Sequence, residues 1–198
     1  MAHADIPIVS FVDTLWPVRG ASRVLRAALL ALAGSALLML SAKIQVPFYP
    51  VPMTMQTLVV LLIGIAFGFP LGVATVLLYL AEGAAGLPVF AGTPEKGIGF
   101  AYMVGPTGGY LLGFALAAAI AGWIVEHRRD PGALALAVVA GSLAIYAPGV
   151  LWLARFVGFD MALELGLAPF LWGDVLKAAL ALALALGGAA MVRRRLGA

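Results

Sequence analysis

Long apolar runs, each near the length of a membrane crossing, alternate along this chain with short stretches where proline, glycine and charge collect. A bilayer core of about 30 Å takes about 20 mostly apolar residues as helix. On that measure the 198 residues hold six spans, at about 22–43, 54–67, 71–85, 101–125, 133–156 and 170–192. The second is short, and the turn FGFPLG joins it tightly to the third. Barrel strands are excluded, because they would be about half as long and would alternate. Between spans one and two lies QVPFYPVPM, with Pro47, Pro50 and Pro52. Proline lacks a backbone donor and pushes its predecessor toward extended backbone, so this loop is non-helical. It is also apolar, which predicts that it packs against the bundle, since irregular backbone at membrane depth must be buried or line a cavity. Residues 86–100, GLPVFAGTPEKGIGF, read as a second loop, HRRDPG as a polar turn, and GFDMALELGLAP as a connection with room for a short surface helix.

Residues 1–21 are mixed in character and lack the basic, apolar and small-residue succession of a cleaved signal. They read as a cytoplasmic or interfacial segment, either disordered or laid on the membrane surface through Phe11, Leu15 and Trp16. Residues 22–198 read as a single six-helix membrane domain. No internal repeat is evident.

Composition sharpens the class. Hydrophobic residues make up 64% and charged residues 11% of the chain, against about 25% charged in soluble domains. The expectation is an all-α integral membrane protein, a compact bundle of about six helices. Cysteine is absent, which excludes disulfides, thiolate metal sites and cysteine catalysis. The net charge of +3 is no nucleic-acid signal, but its distribution is informative. Arg19, Arg23 and Arg26 open span one, Arg128 and Arg129 join spans four and five, and Arg193, Arg194 and Arg195 follow span six. Six spans put all of these on one side, with Lys43, Lys96 and Arg155 toward the other. The bias of basic residues toward the cytoplasm then predicts cytoplasmic termini. The PVP loop, the 86–100 loop and the 157–169 connection would face outward together, over a pocket.

Two ionisable residues sit inside the last span, Asp174 and Lys177. At the centre of a spanning helix each would cost about 2.5–3.5 kcal/mol on insertion scales. Three apart, they share one helix face. Entering from outside, span six holds them in its first turns, beneath the outward loops. One reading is an internal salt bridge that fastens helices. The other is a polar anchor for a small ligand.

The stretch GPTGGYLLGF, residues 105–114, is rich in glycine, but GxxxxGK[ST] is missing throughout the chain. ATP hydrolysis by this chain alone is not expected. Gly105, Gly108, Gly109 and Gly113 suit close helix approach, and Thr107 and Tyr110 could face a ligand. Gln56, opening span two, carries donors and acceptors that serve either a ligand or a helix crosslink. Glu82 lies near the outer end of span three, at the interface or in a functional site. Ala27, Ala31 and Ser35 line one face of span one at four-residue spacing, a packing surface for another helix. His3 and His127 are far apart and support no metal site. No nucleophile–base pair or metal cluster supports an enzyme.

Four motifs, in order and spacing, carry a family resemblance: QVPFYPVPMTMQT, YLAEGAAGLPVFAG, GPTGGYLLGF and PFLWGDVLKAAL. Together they resemble the BioY family, the biotin-binding substrate-specificity component of energy-coupling-factor transporters, over about residues 25–186. The resemblance implies a six-helix bundle with an outward vitamin pocket, biotin as transported ligand and no covalently bound cofactor. It implies biotin uptake with a coupling membrane subunit and two ATPase subunits, or with self-association; membrane lipid is a partner and nucleic acid is not. Asp174 and Lys177 match the family's late Asp and Lys, so the expectation is Asp174 on a ureido N–H and Lys177 on the valerate carboxylate. Gln56 sits in the matched PVPMTMQT motif, and Phe90 and Tyr110 are expected to wall the thiophane ring. Lys96 is the basic residue nearest to where many members place a polar group before GPTGGY. Ala27 and Ala31 resemble the AxxxA element used to dock the coupling subunit. The alternatives are a specificity component for another vitamin, such as thiamine or riboflavin, and an assembly subunit with a structural Asp–Lys pair.

Overall fold

The computed structural model describes residues 10–18, 20–128 and 130–196. In chain order it holds α1 (Phe11–Leu15), α2 (Ala21–Lys43), the short strands β1 (Gln45–Val46) and β2 (Met53–Thr54), α3 (Gln56–Ala84), α4 (Gly99–Met103), α5 (Gly108–His127), α6 (Pro131–Val157), α7 (Phe159–Gly166), a 3-10 turn (Ala168–Phe170) and α8 (Leu171–Leu196). Among the described residues five helical stretches are long and apolar enough to cross a membrane. One of them, α3, supplies two passes. At Gly68 the backbone leaves helical geometry, with φ 78° and ψ −176°, and Pro70 follows. The halves then fold back on each other: Gln56 Nε2 donates to Tyr79 Oη at 2.7 Å. In a straight helix those residues would stand about 35 Å apart. Six passes result, with spans two and three joined at FGFPLG.

Only glycine takes Gly68's positive φ without strain. The fold-back also frees the Phe69 N–H, and Glu126 at the end of α5 accepts it at 2.9 Å. Elsewhere glycines set the helix spacing around α5. A Cβ on Gly64 would lie 2.9 Å from the Ala118 carbonyl oxygen, and one on Gly113 would lie 2.7 Å from Ile145 Cα. So α3 and α6 press against α5 backbone to backbone, as small residues allow in lipid. The spanning helix α2 is more peripheral, with Val24, Leu25, Leu29 and Leu32 exposed.

Two segments differ from the sequence expectation. Span four does not run unbroken from residue 101. Here α4 ends at Met103, the chain turns through 104–107, and α5 starts at Gly108. Pro106 has no N–H to continue the helix and disfavours helical backbone at Gly105. The N-terminal segment does not lie on the lipid surface through Phe11. Phe11 is buried against the bundle, while Trp16 stays half exposed. Arg26 on α2 straps this segment down, ion-paired to Asp13 and donating to the Trp16 carbonyl. Burial works to raise the Asp13 pKa, but hydrogen bonds from Arg26 and Ser10 outweigh it and hold Asp13 below the ordinary carboxylate range. The connection after span five does form a short helix, α7.

Candidate functional site

The start of α2, the end of α5 and the start of α6 lie at one end of the bundle; the 44–55, 85–107 and 158–170 segments lie at the other. Beneath that loop end a narrow cavity of about 50 Å³ opens into the bundle. Its lining is mostly apolar with a few polar groups, the make-up of small-molecule sites. Val51, Pro52, Ala91 and Tyr102 stand toward the loops, and Thr57, Ile145, Tyr146, Asp174 and Lys177 line the deeper part.

The deep end is built on α8. Its inward positions run Asp174, Lys177, Ala181, Ala185 and Ala189, with Trp172, Val175, Leu176 and Leu180 outward. This is a helical stripe in which alanines let the helix approach the bundle and the polar pair points into the cavity. Lys177 Nζ donates to Asp174 Oδ1 at 2.6 Å. Both side chains are nearly buried, at 10% and 12% exposed. Thr57 of α3 donates to the same oxygen at 3.3 Å, and the Tyr146 hydroxyl of α6 donates to Oδ2. Asp174 therefore collects donors from three helices. Lys177, among the described residues, hydrogen-bonds to Asp174 alone, and an ammonium has three donors. Two remain for the cavity. A bridge within one helix staples nothing by itself; the links between helices come from Thr57 and Tyr146.

The walls are aromatic and apolar. Tyr110 lines the cavity with its ring edge-to-face on Tyr146, centroids 6.4 Å apart. Its hydroxyl is committed, donating to the Gly166 carbonyl at 2.8 Å and tying α5 to α7. Phe114, Ile145 and Phe170 complete the apolar lining. Gln56 also lines the cavity, and it crosslinks the fold: Nε2 donates to Tyr79, whose hydroxyl donates to the Val89 carbonyl at 3.1 Å, while Oε1 accepts from Thr54 at 3.3 Å. One donor and one acceptor position of the amide remain.

Phe90 and Lys96 do not line the cavity. Phe90 is buried one layer back, stacked on Tyr102 with centroids 5.0 Å apart and edge-on to Tyr79. Its neighbour Ala91 reaches the cavity instead. Lys43 fixes this loop, donating to the Phe90 carbonyl at 3.0 Å and to Thr93 Oγ1 at 3.1 Å. Lys96 is exposed, its stem folded close over Gly92, next to Ala91 at the rim. Ala27 and Ala31 lie half-buried on α2 and do not line the cavity. Glu82 is half-buried and accepts from Ser35 on α2, away from the cavity lining.

Sequence reasoning missed Tyr146 and Tyr102. A signal existed for the first: a phenol within an apolar span must find a hydrogen-bond partner. Which partner depends on the face of α6 that meets α8, and sequence does not show it.

Comparison with known proteins gives a consistent picture. The family model described as "BioY family" matches residues 13–194. A probable biotin transporter BioY of Pyrococcus horikoshii is 43% identical over 150 residues, covering 76% of this chain and 88% of that one. The biotin transporter BioY of Thermotoga maritima is 40% identical over 153 residues, covering 77% and 89%. Among solved structures, the S-component for biotin from an ECF-type ABC transporter superposes with a TM-score of 0.73 at 21% identity, covering 91% of this chain and 96% of that one. At that identity the likeness speaks to the fold.

Proposed function

The chain belongs to the BioY family, and from that premise we propose that it is a biotin uptake protein, a multi-pass membrane component that binds biotin and performs no covalent chemistry. The observation that carries the reading is the buried Asp174–Lys177 pair at the base of the cavity under the loops.

The geometry favours a placement of the ligand different from the one the resemblance implies. Biotin carries its ureido group and its carboxylate at opposite ends, separated by the fused rings and the valerate chain. Asp174 and Lys177 touch each other at 2.6 Å, so they hold the same end. A second carboxylate about 4 Å from Asp174 would meet roughly 4 kcal/mol of repulsion at an effective dielectric of 20, and Lys177 is already neutralised by its partner. A ureido group is neutral, donates through N–H and accepts through C=O. It matches the pair, with N–H to Asp174 and the carbonyl to a free Lys177 donor. The fused rings then lie against Tyr110, Phe114 and Ile145, Gln56 offers its remaining amide positions, and the valerate carboxylate points to the loop mouth. Lys96, folded over Gly92 beside that rim, is the cation proposed to meet it. Phe90 supports the wall through Tyr102 rather than touching the ligand.

The distribution of arginines supports cytoplasmic termini and an outward mouth in the cytoplasmic membrane. Family membership supports uptake with a coupling membrane subunit and two ATPase subunits, or with self-association, and Ala27 and Ala31 on α2 are the proposed docking surface. Uptake of labelled biotin by bacteria lacking their own biotin transporter tests the function. Expression of this chain with its coupling module should restore uptake that excess unlabelled biotin abolishes. Restored uptake of thiamine or riboflavin instead would overturn the ligand.

A further inference from the structure

The cavity is too small for the ligand proposed for it. At about 50 Å³ it has room for about two waters, whereas sites that enclose drug-sized ligands span about 300–1,000 Å³. Some wall has to yield, and most of the walls are backed. Tyr110 packs its ring on the Gly149 backbone, where an added Cβ would lie 2.4 Å from the ring, and its hydroxyl is tied to Gly166. Tyr102 is stacked on Phe90 and donates to the Ala91 carbonyl at 2.8 Å. Gln56 is crosslinked to Tyr79, and Ile145 lies against α5 at Gly113.

Tyr146 is placed differently. With Asp174 it lines both the cavity and a second space, an open apolar cleft of about 670 Å³ bounded by residues of α6, α7 and α8. Leu143, Ala147 and Val175 line that cleft and are exposed at the surface of the bundle. Tyr146 is half-buried, and among the described residues its hydroxyl hydrogen-bonds to Asp174 Oδ2 alone. A helical side chain lies over the turn before it. Here that turn holds Ser142 and Leu143, both of them on the cleft.

We propose that Tyr146 is the gatekeeper of the ligand site: biotin displaces its ring into the cleft between α6 and α8 and takes its place on Asp174, a step that rests on the biotin reading above. A change of rotamer carries the ring from one space to the other with the main chain in place. Asp174 Oδ1 already accepts from Lys177 and Thr57, while Oδ2 accepts from Tyr146 alone among the described residues. Oδ2 is therefore where the ureido N–H enters. One hydrogen bond replaces another, and Ser142, whose hydroxyl donates to the Val138 carbonyl at 2.8 Å, keeps an acceptor position for the displaced phenol. A ligand with no N–H to offer leaves the carboxylate short of a donor, so the gate selects as well as encloses. The open pocket is a minor conformation that the ligand makes dominant.

Calorimetric titration of the purified chain and two variants tests the gate. Tyr146→Phe removes the bond that biotin has to displace and should bind biotin about fivefold tighter, since a hydrogen bond to a carboxylate outweighs one to a hydroxyl. Affinity equal to or below that of the unaltered chain would make Tyr146 a fixed wall and overturn the proposal. Ala147→Trp fills the cleft from a lipid-facing position and should weaken biotin about tenfold or more, with the melting temperature of the free chain kept, because the open arrangement becomes scarcer. Full affinity in that variant would overturn the proposal too. Fluorine NMR of the fluorotyrosine-labelled chain, in nanodiscs whose lipids carry a spin label on the acyl chain, reads the movement itself and needs no folded Ala147→Trp. The Tyr146 resonance, identified by its loss in Tyr146→Phe, should broaden when biotin is added; broadening unchanged by bound biotin would contradict the swing. A chain that binds no biotin would defeat the biotin reading and this inference with it, whereas binding beside an unmoved Tyr146 defeats this inference alone.

Discussion

Asp174 and Lys177 announce themselves in sequence as charges in an apolar span, and their shared face follows from three-residue spacing. What each of them touches does not. Their contact at 2.6 Å, and the donors that Thr57 and Tyr146 aim at Asp174, depend on how α3, α6 and α8 meet. That contact moves the expected partner of Lys177 from the ligand's carboxylate to its ureido end. Lys177→Met should therefore weaken biotin and biotin methyl ester alike, by about 1.5–3 kcal/mol, the usual worth of a hydrogen bond to a charged group. Lys96→Met should weaken biotin while sparing the ester, by about 1 kcal/mol or less, since an exposed pair is screened. Calorimetric titration of both variants with both ligands checks this. Loss at Lys177→Met for biotin alone would return the carboxylate to the deep end.

At the scale of elements, the apolar run lengths located every span, and FGFPLG located the fold-back at Gly68. The break at residues 104–107 was hidden because the stretch stays apolar on both sides, so hydrophobicity alone continues the helix through Pro106. The docking of α1 was hidden too, since a five-residue helix carries no periodic signal. Glycine contacts make the helix spacing testable. Gly113→Val places a branched side chain where Ile145 Cα stands 2.7 Å from the added Cβ, and should lower thermal stability in detergent by about 1–3 kcal/mol. An unchanged melting temperature would contradict the close α5–α6 approach. The α1 strap carries its own pH dependence. The Asp13 pKa is lowered in the folded chain, so its contribution is present above the unfolded carboxylate value of about 4 and is lost as pH falls through the folded value. Protection of the 10–18 amides from hydrogen exchange should drop on acidification below about pH 4 in the native chain, and should already be low at neutral pH in Asp13→Asn.

The whole molecule is a bundle with a closed, glycine-spaced core around α5, a cavity at the loop end, and α2 and α8 as its more peripheral spanning helices. Such a division suits a binding component that presents one helix to a partner and keeps its pocket elsewhere. Ala27→Leu or Ala31→Leu should then leave biotin binding intact while lowering uptake in the presence of the coupling module. Normal uptake by both variants would remove α2 from the docking role. The cavity itself is proposed to bind biotin. Titration calorimetry of the purified chain with biotin, with thiamine and riboflavin alongside, tests it most directly. The expected result is saturable one-to-one heat with biotin at about micromolar affinity or tighter, about −8 kcal/mol or more favourable, and none with the other two. A folded preparation silent to biotin would contradict it, leaving Asp174, Tyr146 and Thr57 as a clamp between helices and nothing more.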